Sequence, residues 1–151
     1  MNENNYAEKA MALFKEGYNC TQAVVGTFAD ELEIDFDTAM KLASSFGGGM
    51  GRLREVCGAV SGMFIVAGLK FGYSDPKDKE HKTEHYKLIQ ELAEKFKEEH
   101  PSIVCRELLG LDQKKESYVP EDRTENYYKK RPCVQIVGKA AEIIGEYLQE
   151  K

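Results

Sequence analysis

From about Leu53 to Leu69 the chain is apolar on nearly every side of a helical wheel, while the segments before and after it are apolar on one side only. A helix that is hydrophobic all round has to be covered all round, so several amphipathic partners must wrap it. The flanking sequence supplies them. Tyr6, Ala10, Leu13 and Phe14 recur at helical spacing ahead of Gly17. Cys20, Ala23, Val24, Phe28 and Leu32 form a second stripe, and Met40, Leu42, Ala43 and Phe46 form a third that starts at Asp35 or Asp37. Further on, Tyr86, Ile89, Leu92, Ala93 and Phe96 mark a charged amphipathic helix over about Lys79 to Glu99. Val104, Cys105, Leu108 and Leu109 mark a short helix opened by Pro101 and Ser102 and closed by Gly110. The last stripe, Cys133, Ile136, Val137, Ala140, Ile144, Tyr147 and Leu148, follows Pro132, a residue suited to a first helical position. No segment alternates with strand period or carries an Asn-Gly hairpin signal. The expected fold is all-α, a compact multi-helix bundle around the central apolar helix.

At 151 residues the chain reads as one domain, 1–151, because a chain of about this length hides roughly two thirds of its unfolded surface. Its formal charge of −5, with Lys and Arg scattered among Glu and Asp, provides no basic stripe for phosphates, which argues against nucleic acid as a partner. The longest apolar run, Val56 to Phe71, is shorter than the roughly 20 residues of a membrane span and is interrupted by glycines, Ser61 and Lys70, so the chain is not expected to be embedded in a membrane. The polar start, Met-Asn-Glu-Asn-Asn, lacks the pattern of a secretory signal; a cytoplasmic location with reduced cysteines is expected. A homodimer is the default assembly.

Four cysteines, Cys20, Cys57, Cys105 and Cys133, each fall at or near the start of an expected helix and on its core-facing stripe. Helix starts offer unpaired N–H groups and partial positive charge, which favour a thiolate. Arg52 and Arg54 precede Cys57, and Lys129, Lys130 and Arg131 precede Cys133, so these two are expected to be the most reactive thiolates. A lowering of two pKa units would amount to about 2.7 kcal/mol in favour of the charged form. No Cys-x-x-Cys is present, so any shared site has to be assembled by the fold. Four such ligands suit a tetrahedral zinc or an iron–sulfur cluster, and two redox pairs are equally compatible with the spacing.

The strongest local motif is Cys57-Gly58-Ala59-Val60-Ser61-Gly62. Each glycine within a helix costs about 0.5 to 1 kcal/mol relative to alanine, so Gly58 and Gly62, one turn apart, need a reason. Close approach of another backbone or a cofactor is one, with Gly58, Ala59, Gly62, Arg52 and Arg54 as its candidate contacts; tight helix packing is the other, and is favoured on these residues alone. With this motif and the order of its cysteines, the chain resembles the redox-active family named for the pattern C_GCAxxG_C_C. Cys20 stands at the first cysteine of that pattern, Cys57 to Gly62 at the motif, and Cys105 and Cys133 at the last two. The resemblance implies a redox or iron–sulfur role in a bacterial or archaeal protein, with an unknown redox partner linked to a membrane transporter system. Two other readings stand beside it: a zinc-stabilised, non-catalytic interaction module, and a small-molecule carrier with structural cysteines.

Remaining features carry less. Gly47 to Gly51, near Arg52 and Arg54, fits no phosphate-loop spacing and reads as a hinge or tight turn. His81 and His85, one turn apart with Glu84 between them, read as a solvated helix face rather than a metal site. His100 before Pro101 reads as a loop terminator. The polar stretch from Asp112 to Lys130 is long for a connection, and is either mobile or functional.

Overall fold

The computed structural model describes residues 5–110 and 117–150, apart from the side chain of Lys130; the expectations for the first four residues and for 112–116 lie outside the described residues. The chain is all-α. Its helices are α1 (Tyr6–Lys15), α2 (Cys20–Phe28), α3 (Phe36–Ala43), α4 (Gly58–Phe71), α5 (Lys79–Lys97), α6 (Cys105–Leu109), α7 (Glu125–Lys130) and α8 (Cys133–Glu150). Local chemistry sets most of the boundaries. Asn19 caps α2 by accepting from the Gln22 N–H at 2.8 Å, while its own N–H donates to the Gln22 side chain at 3.0 Å. Asp35, Asp78 and Thr124 cap α3, α5 and α7 by the first of these bonds alone, accepting from the N–H groups of Thr38, His81 and Tyr127. Left-handed glycines, Gly17 at φ 117° and Gly110 at φ 67°, turn the chain after α1 and α6.

α4 is the central helix, packed by α2, α8 and α5, while α1 lies between α8 and α2. It starts five residues later than the 53–69 expectation. The reason lies upstream: Gly48, Gly49, Met50, Gly51, Arg52 and Arg54 all have φ between 60° and 72°, a left-handed turn that no right-handed helix can include. Its bonds close in the left-handed sense, with Gly51 N–H donating to Gly47 O at 2.9 Å and Glu55 N–H to Gly49 O at 2.9 Å. Val56 then forms an antiparallel bridge with Val104 before α4 begins.

The core is built from Phe14, Phe28, Met63, Leu92, Phe96 and Ile144, all fully buried, with aliphatic residues of α2, α4 and α8 between them. α5 presents Leu88, Leu92 and Phe96 inward; its expected face was rotated, since Tyr86 is 51% exposed and its hydroxyl instead meets that of Tyr73 at 3.2 Å. Leu42 is likewise exposed on α3. Among the described residues no helix is long and apolar enough to cross a membrane.

Candidate functional site: four thiols at converging helix starts

Cys20, Cys105 and Cys133 are the first residues of α2, α6 and α8, and Cys57 is the N-cap of α4. These four helix starts meet at one end of the bundle, and all four cysteines wall one cavity of about 70 Å³. The Val56–Val104 bridge sets two of them side by side. Cys57 N–H donates to Ile103 O at 2.7 Å, and Cys105 N–H donates to Glu55 O at 2.6 Å, so each cysteine lies one residue beyond the bridged pair. Capping by Asn19 places Cys20, and the Asn19 amide also donates to Ser44 O at 3.1 Å, tying α2 to the turn that leads into the cavity. All four thiols are free.

Gly58 brings the cysteine of α2 up to α4. A β-carbon there would collide with Cys20 Sγ and stand 2.7 Å from Thr21 Oγ1, whose hydroxyl donates to Gly58 O at 2.8 Å. One turn on, a β-carbon at Gly62 would stand 2.9 Å from Val24 Cβ. The motif glycines therefore serve α2–α4 packing, as the residues alone favoured. Of the expected cofactor contacts, Gly58 and Arg54 line the cavity, whereas Ala59 and Gly62 are packed within the helix pair and Arg52 lies outside it. Gly49 is held close as well: its β-carbon would stand 2.6 Å from Cys105 Cβ and 2.9 Å from Arg54 Cα.

The electrostatics correct the expectation for Cys57 and Cys133. Burial pushes the Cys57 thiol well above its ordinary range, and the charge of Cys20 adds to this. The N–H groups of Val60 and Ala59 favour the thiolate of Cys57 but close no full capping bond, and burial outweighs them. Burial, followed by the charges of Cys20 and Cys105, pushes Cys133 up to about 12 despite Arg131 and Arg54. Arg54, only 4% exposed, turns to Cys105 rather than Cys57, its Nη1 donating to Cys105 Sγ at 3.5 Å. Burial still raises Cys105, but this contact and the arginine charge pull back against it. Cys20 is the common neighbour, acting on each of the other three thiols.

Sequence reasoning missed two lining residues, Arg123 and Tyr127. The Arg123 guanidinium lies 4.1 Å over the Phe14 ring and donates to Phe14 O at 2.8 Å and Tyr18 O at 3.0 Å, which satisfies carbonyls at the end of α1. Burial, then the charge of Cys133, raises the Tyr127 phenol. Their only signal was a pair of tyrosines in an otherwise polar stretch, a pattern without periodicity. The histidines lie elsewhere: His81 Nε2 meets Phe71 O at 2.8 Å at the end of α4, and His100 stacks on Phe96 with ring centroids 4.9 Å apart. Among the described residues, no three His, Cys, Asp or Glu lie close enough to share one metal ion, so the sulfurs ring the cavity rather than meet in it.

A helical protein with thiols at four converging helix starts is the class that fold and site define. The chain belongs to the family described as "Putative redox-active protein (C_GCAxxG_C_C)", whose model matches residues 18–147 and so includes all four cysteines. Comparison with curated proteins and with solved structures finds no match.

Proposed function

We propose that the chain is a small redox protein whose four cysteines hold an iron–sulfur cluster in the cavity between the helix starts. One observation carries this reading: the described residues that line the cavity include four cysteines and no His, Asp or Glu. An all-thiol donor set suits soft centres, namely zinc, copper(I) and iron–sulfur clusters. Of these, zinc has no redox chemistry, so the redox description of the family disfavours it, and four thiols walling one cavity match the four cysteine ligands of an iron–sulfur cluster. The volume of about 70 Å³ is several-fold below the roughly 300 to 1,000 Å³ of small-molecule sites, which disfavours a carrier of metabolites. It suits a core of a few heavy atoms.

Buried thiols with raised pKa values are protonated at neutral pH, and thiols are weak nucleophiles in that form. On binding a metal centre the same four thiols would give up those protons and serve as its ligands, and Arg54 beside Cys105 would offset part of the accumulated negative charge. The cluster would supply electron transfer; the protein supplies the ligands, the low-dielectric enclosure and the compensating cation. In this reading the chain works in the cytoplasm, where such thiols stay reduced, alongside a separate redox partner.

The test is the visible spectrum of protein purified without oxygen, recorded before and after a strong reductant, together with iron and acid-labile sulfide per chain. A coloured protein that bleaches on reduction and contains both elements is the expected result. A colourless protein carrying zinc would replace this reading with the interaction module, and a colourless, metal-free protein that forms disulfides reversibly would replace it with thiol cycling. Chelation adds a second criterion. Phe14, Cys57 and Ile136 belong to both core and cavity wall, but most of the core, including Phe28, Met63, Leu92 and Phe96, lies away from it, so the stripped protein should keep most of its helical circular dichroism, whereas a zinc-dependent fold would lose it.

A further inference from the structure

A second cavity of about 260 Å³ opens beside the cysteine cavity, and Arg123 and Tyr127 wall both. Both residues belong to segment 117–131, so this stretch stands between the thiols and the outer cavity. The segment is tied to itself, since Glu121 pairs with Arg131 and Thr124 caps α7. Among the described residues it nevertheless adds nothing to the fully buried core; Tyr127 and Tyr128, which pack against that core, are half-buried. Polar bonds attach it instead. Arg52 Nε donates to Ser117 O at 2.6 Å at the start of the segment, and the Tyr128 hydroxyl donates to Lys15 O at 3.5 Å. The central tie is Arg123. Its guanidinium donates to Phe14 O and Tyr18 O, and lies 4.1 Å from the Phe14 ring and 5.4 Å from the Tyr127 ring.

We propose that segment 117–131 is a cover on the cysteine cavity with Arg123 as its latch, and that its release lets a soft metal ion or a thiol reagent reach Cys57 and Cys105 without unfolding the core. An element with few buried apolar contacts opens at a lower free energy than the bundle beneath it. The charged hydrogen bonds of Arg123 are the strong ties here, and they end on carbonyls that water satisfies once the cover lifts. Cys57 and Cys105 are the thiols that need such a route, since each is only 7% exposed. Opening takes Arg123 and Tyr127 out of both walls and joins the two cavities. The inference goes beyond the cluster reading and does not depend on it, because access is measured on the reduced, metal-free protein.

The experiment is alkylation of the full-length protein by iodoacetamide at fixed pH, with the rate at each cysteine read by mass spectrometry at low conversion. In the wild type, the rates at Cys57 and Cys105 should be nearly independent of urea below the unfolding transition, because lifting the cover exposes little surface. Arg123→Gln should speed both roughly tenfold or more, the scale of losing a charged hydrogen bond, and by more than its loss of global stability accounts for. Removing the cation would by itself act the other way, since it disfavours the thiolate that reacts. Lys97→Gln, on α5, should change nothing. The proposal is overturned if both thiols react only as the whole protein unfolds, with rates rising steeply in urea. It is equally overturned if Arg123→Gln leaves the rates unchanged, which would show that the cavity is open by another route, or if the acceleration merely matches the loss of global stability. Should Arg123→Gln fail to fold, Arg123→Lys, which keeps the charge and drops the fork, takes its place under the same criteria.

Discussion

Cys20 Sγ occupies the space beside Gly58 where a β-carbon would have to stand, so the first cysteine is seated on the first residue of the helix capped by the second. The glycine after Cys57 is thereby tied to the geometry of the site as well as to packing. Thr21, whose hydroxyl donates to Gly58 O, fixes the same contact from the neighbouring position.

Gly58→Ala should therefore destabilise the protein by about 1 to 3 kcal/mol, the range for overpacking, even though alanine is the better helix former. Gly68→Ala, in the same helix but with open space around its β-carbon, should stabilise by about 0.4 to 1 kcal/mol. Urea unfolding midpoints of the two variants decide this, and a stabilised Gly58→Ala would show that Cys20 is not held as described.

Alkaline pH should destabilise the reduced, metal-free protein. Cys133 has its folded pKa raised to about 12 from an ordinary 9.0, so the folded state holds its proton more tightly than the unfolded chain does. The corresponding stability is fully present below pH 9 and is lost between 9 and about 12, with a slope of up to about 1.4 kcal/mol per pH unit for each such thiol. Cys57 is shifted in the same direction. Cys133→Ser should flatten the decline; an unchanged slope in a pH series of urea midpoints would contradict the burial of that thiol.

Arg54→Gln should raise the pKa of Cys105 further, because it removes the cation and the donor that favour its thiolate. The ultraviolet thiolate absorbance, titrated against pH in wild type and variant, measures it. A fall in the apparent pKa assigned to Cys105 by a Cys105→Ser control would count against the Arg54 contact.

The left-handed turn ahead of α4 should be intolerant at Gly49 and more permissive at Gly51. Both sit at positive φ, but a β-carbon at Gly49 meets Cys105 Cβ and the backbone of Arg54, whereas one at Gly51 has its nearest neighbour, Ser45 O, at 3.9 Å. Gly51→Ala should cost about 1 to 2 kcal/mol from its left-handed backbone alone. Gly49→Ala should cost more and also shift Cys105, seen as altered thiol titration. Equal losses in both variants would show that contact with Cys105 adds nothing.

The amino-acid order by itself determined most of the helices, because their signals are local: Asn19, Asp35 and Asp78 bond to N–H groups three residues on, and apolar spacing needs only the chain's own periodicity; α7, Glu125–Lys130, is the exception, a helix inside the stretch read as a polar connection, too short and too polar to show that period. It also determined that each cysteine stands at a helix start. The tertiary structure decided what those starts do together. Which sulfurs share a cavity depends on the Val56–Val104 bridge and on Cys20 resting against Gly58, contacts between segments 48 and 38 residues apart in the chain. The sign of the thiol shifts followed the same division. Neighbouring arginines and helix starts can be read from the chain and favour thiolates, but desolvation exists only once other helices have closed over the sulfur, and at Cys57 and Cys133 desolvation wins. Arg54 faces Cys105 and not Cys57, three residues away, because the left-handed turn aims its side chain across the cavity, a direction set by backbone geometry that its place in the sequence does not carry.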